Sequence, residues 1–248
     1  MNAKKPERCS GRVLPRRARA TLLAPAGEAV AQDPDDGGGL VLHNAQVQLV
    51  YWGASWNNGG ALLTGIDHAV QIILGSGYVA ALSEYRNNIG AGTLAGSQIY
   101  APSGDPANNF TDNDVQALLR QMISAGLLPE PLDDQHLFLV VTPPGVAVDG
   151  ILGEHWFFQY ACSDGVLRRV HYGWITGTQI ADYSCTMAHE IVESITDPEM
   201  DAITFASCPG VDGTCEIGDV CQACYALPDG TIVQDWYSAA QHKCIRPS

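Results

Sequence analysis

Ala188-His189-Glu190-Ile191-Val192-Glu193-Ser194-Ile195-Thr196-Asp197-Pro198 is the stretch on which the chain turns. Ala188, Ile191, Val192 and Ile195 recur at helical spacing and define a buried stripe. His189, Glu190, Glu193 and Asp197 then lie on or beside the opposite face. Residues i and i+4 share a helix face, so His189 and Glu193 can grip one ion while Glu190 holds a water against it. This is the spacing of a helical zinc-hydrolase motif with glutamate in place of the second histidine. Asp197 precedes proline and is biased away from α geometry, so the helix should end near Thr196, with Asp197 bending back toward the His189 ring.

A third ligand is expected from Glu216-Ile217-Gly218-Asp219, where Glu216 or Asp219 can complete the set, as the downstream carboxylate does in zincin-like sites. The bland alternative is an amphipathic helix whose solvated face carries one histidine and three acids. Two carboxylate ligands would neutralise Zn²⁺ and lower its Lewis acidity, which throws more weight on Glu190 as general acid and base. Oxygen-rich ligation also leaves Ca²⁺ or Mn²⁺ open. His155 and His171 fall on strands expected to border the cleft, and either can polarise a substrate carbonyl. Tyr183 or Tyr172 can donate to an oxyanion. Against these roles stand ordinary ones, a hydrogen-bonded strand histidine and a packed tyrosine.

Upstream, Ala45 to Trp52 alternates and is rich in β-branched and aromatic residues, which predicts a strand. Ile66, Val70, Ile73 and Leu74 predict a helix stopped by Gly75-Ser76-Gly77, with a second short helix from Tyr78 to Tyr85. Thr111-Asp112-Asn113-Asp114 opens like a capping box, and Val115, Leu118, Leu119, Met122 and Ile123 continue that helix to Gly126. His136 to Thr142 is a continuous apolar run, as in a strand buried on both faces. Trp156 to Ala161 and Val166 to Ile175 make a hairpin around Ser163-Asp164-Gly165. The order predicts an α+β fold: a mixed sheet with packed helices on one side, a zincin-like active-site helix and a cysteine-rich C-terminal region with a hairpin at Pro228-Asp229-Gly230.

The chain has 248 residues, within the range of one domain. Residues 1–40 end in Asp33-Pro34-Asp35-Asp36-Gly37-Gly38-Gly39 and lack hydrophobic periodicity, so they read as a disordered leader or flexible arm, with residues 41–248 as a single catalytic domain. Asp and Glu number 27 against 13 Lys and Arg, and seven of the cations (Lys4, Lys5, Arg8, Arg12, Arg16, Arg17, Arg19) sit in that leader. Nucleic acid and anionic membranes are poor partners for such a body, because phosphate binding needs clustered cations. No stretch approaches the ~18 apolar residues of a membrane span. Five of the eight cysteines fall in the last 41 residues. Disulfides fit this clustering, with Cys208 and Cys215 bracketing a loop and Cys244 stapled to Cys221 or Cys224. A zinc knuckle of Cys208, Cys215, Cys221 and Cys224 is the competing arrangement. Disulfides imply a secreted, extracellular protein, and a monomer is expected.

Ala188-His189-Glu190 to Asp197-Pro198 followed by Glu216-Ile217-Gly218-Asp219-Val220-Cys221 resembles the C-terminal signature of the exordium-like, or phosphate-induced, proteins, with Val50-Tyr51-Trp52-Gly53 as a weaker echo. The resemblance implies secretion and a metallopeptidase-like fold, with His189, Glu193 and Glu216 or Asp219 at the metal positions. It names no substrate, and the chain departs from the plant pattern in Cys208, Cys215 and its basic leader. The expected function is a secreted metal-dependent hydrolase acting on a peptide or small amide. One rival is a non-catalytic protein binding carbohydrate or cell wall through Trp52, Trp56 and Trp156 around a structural ion. Another is a glycoside hydrolase with paired carboxylates.

Overall fold

The computed structural model describes residues 32–207 and 215–248. Its first half comprises β1 (Asp35–Asp36), β2 (Gln46–Trp52), α1 (Gly60–Gly75), α2 (Gly77–Ala80), β3 (Thr93–Tyr100), α3 (Asp112–Ser124) and β4 (His136–Val141). There follow β5 (Gly153–Ala161), β6 (Leu167–Ile175), α4 (Ile180–Thr196), β7 (Ile203–Thr204), β8 (Cys224–Ala226), β9 (Ile232–Gln234), β10 (Trp236–Ser238) and β11 (Lys243–Ile245).

Five strands make one mixed sheet in the order β3-β2-β4-β6-β5, parallel except for β5, which runs antiparallel to β6. The apolar run of β4 lies in the centre, as its two-sided burial demands. Side chains alternate across a strand, so each face has its own core. Val47, Leu49 and Tyr51 of β2 pack with Leu137, Leu139 and Val141 of β4 against α1 and α4. Val50, Phe138 and Val140 pack on the other face against Val115, Leu119 and Met122 of α3. Helices therefore cover both faces, whereas the sequence placed them on one. Periodicity finds an apolar stripe but does not say which side of the sheet receives it.

The capping box of α3 forms as expected, with Thr111 accepting from the Asp114 amide and the Asp114 carboxylate accepting from the Thr111 amide. The expected helix from Tyr78 to Tyr85 is split into α2 and a 3-10 turn over Ala81–Glu84. Strand β3 had no signal in the sequence. Thr-Leu-Ala-Gly-Ser-Gln-Ile-Tyr has too few large apolar residues, because an edge strand with one half-covered face needs few.

Asp33 to Gly39, assigned to the flexible arm, are tied into the fold in the structure. β1 pairs with β7, the Gly37 and Gly39 amides donate to the Ala202 and Asp201 carbonyls, and Arg86 grips Asp36. The aspartates that suggested disorder find partners brought from elsewhere in the chain. Residues 1–31 lie outside the described residues.

After α4 the chain forms the hairpin β8–β9, with Asp229 and Gly230 in its turn, and the pair β10–β11. Cys221–Cys244 staples the terminus, as one of the two expected pairings has it, and Cys185–Cys224 ties α4 to β8. Cys215 is also disulfide-bonded. A zinc knuckle is thereby ruled out: Cys221, Cys224 and Cys215 have their sulfurs in disulfides, and Cys208 lies outside the described residues.

Candidate metal centre

Helix α4 is buried on every side from Tyr183 to Thr196. One side packs on the sheet and α1. The other, polar side is roofed by the Glu216–Asp219 loop and by β9, so His189, Glu190 and Glu193 lie in the interior at 3%, 1% and 1% exposure. Buried charges need partners or an ion.

Two groups of donors converge there. His189, Glu193 and Asp219 each offer an atom within 4.8 Å of the others, and so do His155, Glu190 and Glu193. His189 Nε2 lies 3.2 Å from Glu193 Oε2 and 3.9 Å from Asp219 Oδ1. Neither His189 Nε2 nor either Glu193 oxygen has a hydrogen-bond partner among the described residues. Buried donor atoms at this separation without a hydrogen bond are placed like neighbouring ligands of one cation, which stand about 3.3 Å apart in a tetrahedral site with ~2.0–2.1 Å bonds. Asp219 is oriented by its other oxygen, Oδ2, which accepts from the Glu216 amide at 3.1 Å. The residues fit a divalent cation.

Gln234 of β9, unmarked in the sequence, stands against the His189 ring. Its amide nitrogen donates to the Gly218 and Cys221 carbonyls and lies 2.8 Å from His189 Nδ1, which leaves Nε2 facing Glu193. This is the place expected for Asp197. That residue does end the helix, but its Oδ1 accepts from the Asp201 and Ala202 amides at 2.8 and 2.7 Å. Gly218 lets the loop close on the helix, since a β-carbon there would lie 2.8 Å from Glu193 Oε1 and 2.9 Å from His189 Nδ1.

His155 points from β5 toward α4, because Trp156 and Phe158 occupy the opposite face. Its Nδ1 lies 3.2 Å from Glu190 Oε2 and 3.7 Å from Glu193 Oε2, and its Nε2 lies 3.4 Å from Glu216 Oε1. Glu216 stands beside His155, away from His189, so the structure brings Asp219 and not Glu216 to the His189–Glu193 pair. Tyr183 is committed elsewhere: its hydroxyl donates to the Thr142 carbonyl at 2.8 Å and its ring packs near Trp56. His171 pairs with Glu199 at 3.1 Å, and the Tyr172 hydroxyl accepts from Gln116.

Burial shapes the charge state. It raises Glu190, with His155 opposing, and raises Glu216 well above the usual carboxylate range. Asp219 is pushed up to about 7 by burial and by the neighbouring Glu193. Burial alone would depress the histidines, but Glu193 lifts His189 to about 10, and Glu216 with Glu190 lifts His155 well above its ordinary value. The protein holds more negative groups here than it can ionise without cations.

A cavity of about 510 Å³ opens over one side of this cluster, lined among others by Val146, Leu152, Thr186, His189, Asp219 and Gln234. His189 and Asp219 therefore face solvent-accessible space, while His155, Glu190, Glu193 and Glu216 lie behind them.

No family model matches the chain, and no curated protein matches it. Among solved structures it is similar to metalloproteinase-II from Bacteroides fragilis at a TM-score of 0.37 and 13% identity, over 66% of this chain and 48% of that one. The chain spans about half the length of that protein, and a likeness at this score bears on neither site nor reaction. Neither comparison supports the resemblance to exordium-like proteins.

Proposed function

We propose that the chain is a secreted metal-dependent hydrolase of peptide or small amide bonds, with His189, Glu193 and Asp219 holding a divalent cation at the floor of the cleft. The observation that carries this is the convergence of unpartnered buried donors, His189 Nε2 and both Glu193 oxygens, beside a cavity lined by His189 and Asp219. When bound, the cation would supply a Lewis acid that polarises the scissile carbonyl and acidifies a water.

Glu190 does the proton transfers in this scheme. It takes a proton from the attacking water as the oxygen bonds to the carbonyl carbon, and returns it to the amide nitrogen as the C–N bond breaks, leaving an acid and an amine. Its Oε1 lies beside Gly153 and Thr186, and Thr186 lines the cleft. Strand β5 pairs only with β6 among the described residues, so its other edge offers backbone groups to an extended peptide. Secretion is favoured by the disulfides, which persist in oxidising compartments. Among the described residues no helix is long and apolar enough to cross a membrane. Zn²⁺ suits a three-ligand site with one open position, although the two carboxylates also admit Mn²⁺ or Ca²⁺. Of the three tryptophans of the carbohydrate-binding alternative, Trp56 and Trp156 are buried in the two cores and Trp52 is partly buried against the second.

The test is metal analysis of the full chain followed by Glu190→Gln assayed on a mixed peptide library. At least one ion per chain in both proteins, with cleavage falling by about 10²–10⁴ in the variant, is the expected result. Cleavage unchanged in the variant, or no bound metal in the parent, would overturn the assignment.

A further inference from the structure

We infer that the centre holds two divalent cations bridged by Glu193: an outer one on His189, Glu193 and Asp219, and an inner one on His155, Glu190 and Glu193, with Glu216 flanking it. The inner site rests on the hydrolase assignment only for its function, since its donors are argued separately.

Geometry comes first. The two donor triples share only Glu193, whose Oε2 has His189 Nε2 at 3.2 Å and His155 Nδ1 at 3.7 Å. Within the inner triple, His155 Nδ1 and Glu190 Oε2 are 3.2 Å apart, again the separation of two ligands on one cation, about 3.3 Å. Neither triple takes in the other's histidine, so the two imidazoles do not converge on one point.

Charge gives the same answer. Glu190, Glu193, Glu216, Asp219 and Asp197 are all buried around two imidazoles. A single cation on the outer site leaves most of that negative charge without compensation, which a protein interior tolerates poorly. An imidazolium at His155 is the competing way to balance it. That ion would serve Glu190 Oε2 through Nδ1 and reach Glu216 Oε1 at 3.4 Å through Nε2, but it leaves Glu190 Oε1, Glu193 Oε1 and Glu216 Oε2 buried without a hydrogen bond. An inner cation takes Glu193 and Glu190 together and has Glu216 within reach of the same imidazole. Glu190 then binds by Oε2 and keeps Oε1, on the Thr186 side, for the proton transfers.

The inner position differs from the outer in access. None of His155, Glu190, Glu193 or Glu216 lines the cleft. An inner cation should therefore enter and leave more slowly, and stay when a brief chelator wash strips the outer one.

The experiment is titration of the metal-stripped full chain with Mn²⁺ or Zn²⁺ alone, with elemental analysis after desalting, repeated for His155→Gln and His189→Gln. Two ions per chain in the parent and one in each variant are expected. Mn²⁺ resonance spectra of the parent provide a check free of any folding defect, because a carboxylate-bridged pair is spin-coupled and its six-line signal collapses as the second ion binds. One ion per chain, lost in His189→Gln and kept in His155→Gln, with an uncoupled spectrum, overturns the second site and leaves the hydrolase assignment standing. One ion lost in His155→Gln and kept in His189→Gln overturns the pair and moves the cleft site. No ion in the parent defeats both.

Discussion

At the scale of single residues, the centre depends on side chains that are too small or too ordinary to attract notice. Gln234 has no chemistry of its own, yet it spans the Gly218 and Cys221 carbonyls and the His189 ring. Removing it frees the imidazole to turn and strands two carbonyls. Gln234→Ala is expected to weaken metal binding by about 10–100-fold, as loss of a group supporting a ligand histidine does, measured by competition with a chromogenic chelator. Unchanged affinity would mean that Gln234 does not hold the ligand ring. Gly218→Ala should act through the loop, since the added carbon must push against Glu193 and His189 and carry Asp219 away. Metal affinity should fall while the melting temperature of the metal-free protein changes little. His189, Glu193 and Asp219 were visible in the sequence because helix periodicity and a short Glu-x-x-Asp loop are local patterns. Gln234 was not, because its contact with His189 spans 45 residues and exists only in the fold.

At the scale of elements, α4 is the instructive case. Its sequence is amphipathic, and amphipathic helices normally show their polar face to water. Here β8–β9 and the Glu216–Asp219 loop cover that face, and a polar stripe read by itself cannot reveal what lies on top of it. The central strand, the capped α3 and the β5–β6 hairpin were legible because their signals are runs, caps and turns. β3 and the docking of Asp33 to Gly39 were not, because both depend on partners distant in the chain. Cys185–Cys224 clamps the roof to the helix over a sequence separation of 39, and closing a loop of that length is worth about 4 kcal/mol in the chain-entropy model. Cys185→Ala with Cys224→Ala should lower stability by up to that amount in urea and loosen metal binding, since the roof carries Asp219 and Gln234. A midpoint within error of the parent would show that the roof is held by packing alone. Beyond α4, Glu199 is gripped by His171 and Arg169. Burial opposes its ionisation, but these two partners outweigh burial and hold its carboxyl below the usual range. A depressed folded pKa gives stability that is present above the unfolded value near 4.3 and lost as pH falls through the folded one. Glu199→Gln should therefore lower the urea midpoint at pH 7 and flatten its decline toward pH 3.

At the scale of the whole molecule, an acidic chain with a net charge of −14 has gathered five buried carboxylates around one centre. That arrangement is unfavourable without cations, and pH exposes it. Burial and neighbouring acids raise Asp219 to about 7, and burial raises Asp197 to about 6. In the metal-free protein these groups have folded pKa values above their unfolded ones, near 3.9. They contribute stability that is complete below the unfolded value and lost as pH rises through about 6 to 7. His189, raised to about 10, has the same sign at higher pH. A cation works in the opposite sense, because it binds the deprotonated carboxylates and the neutral imidazole, so its affinity grows as those protons leave. The gap in melting temperature between metal-loaded and chelator-treated protein should thus be small at pH 5 and widen steadily to pH 8. Scanning both forms at fixed ionic strength across that range measures it. A gap that stays flat would mean that the ion sits on groups that do not titrate there, and that the buried carboxylates serve some purpose other than ligation.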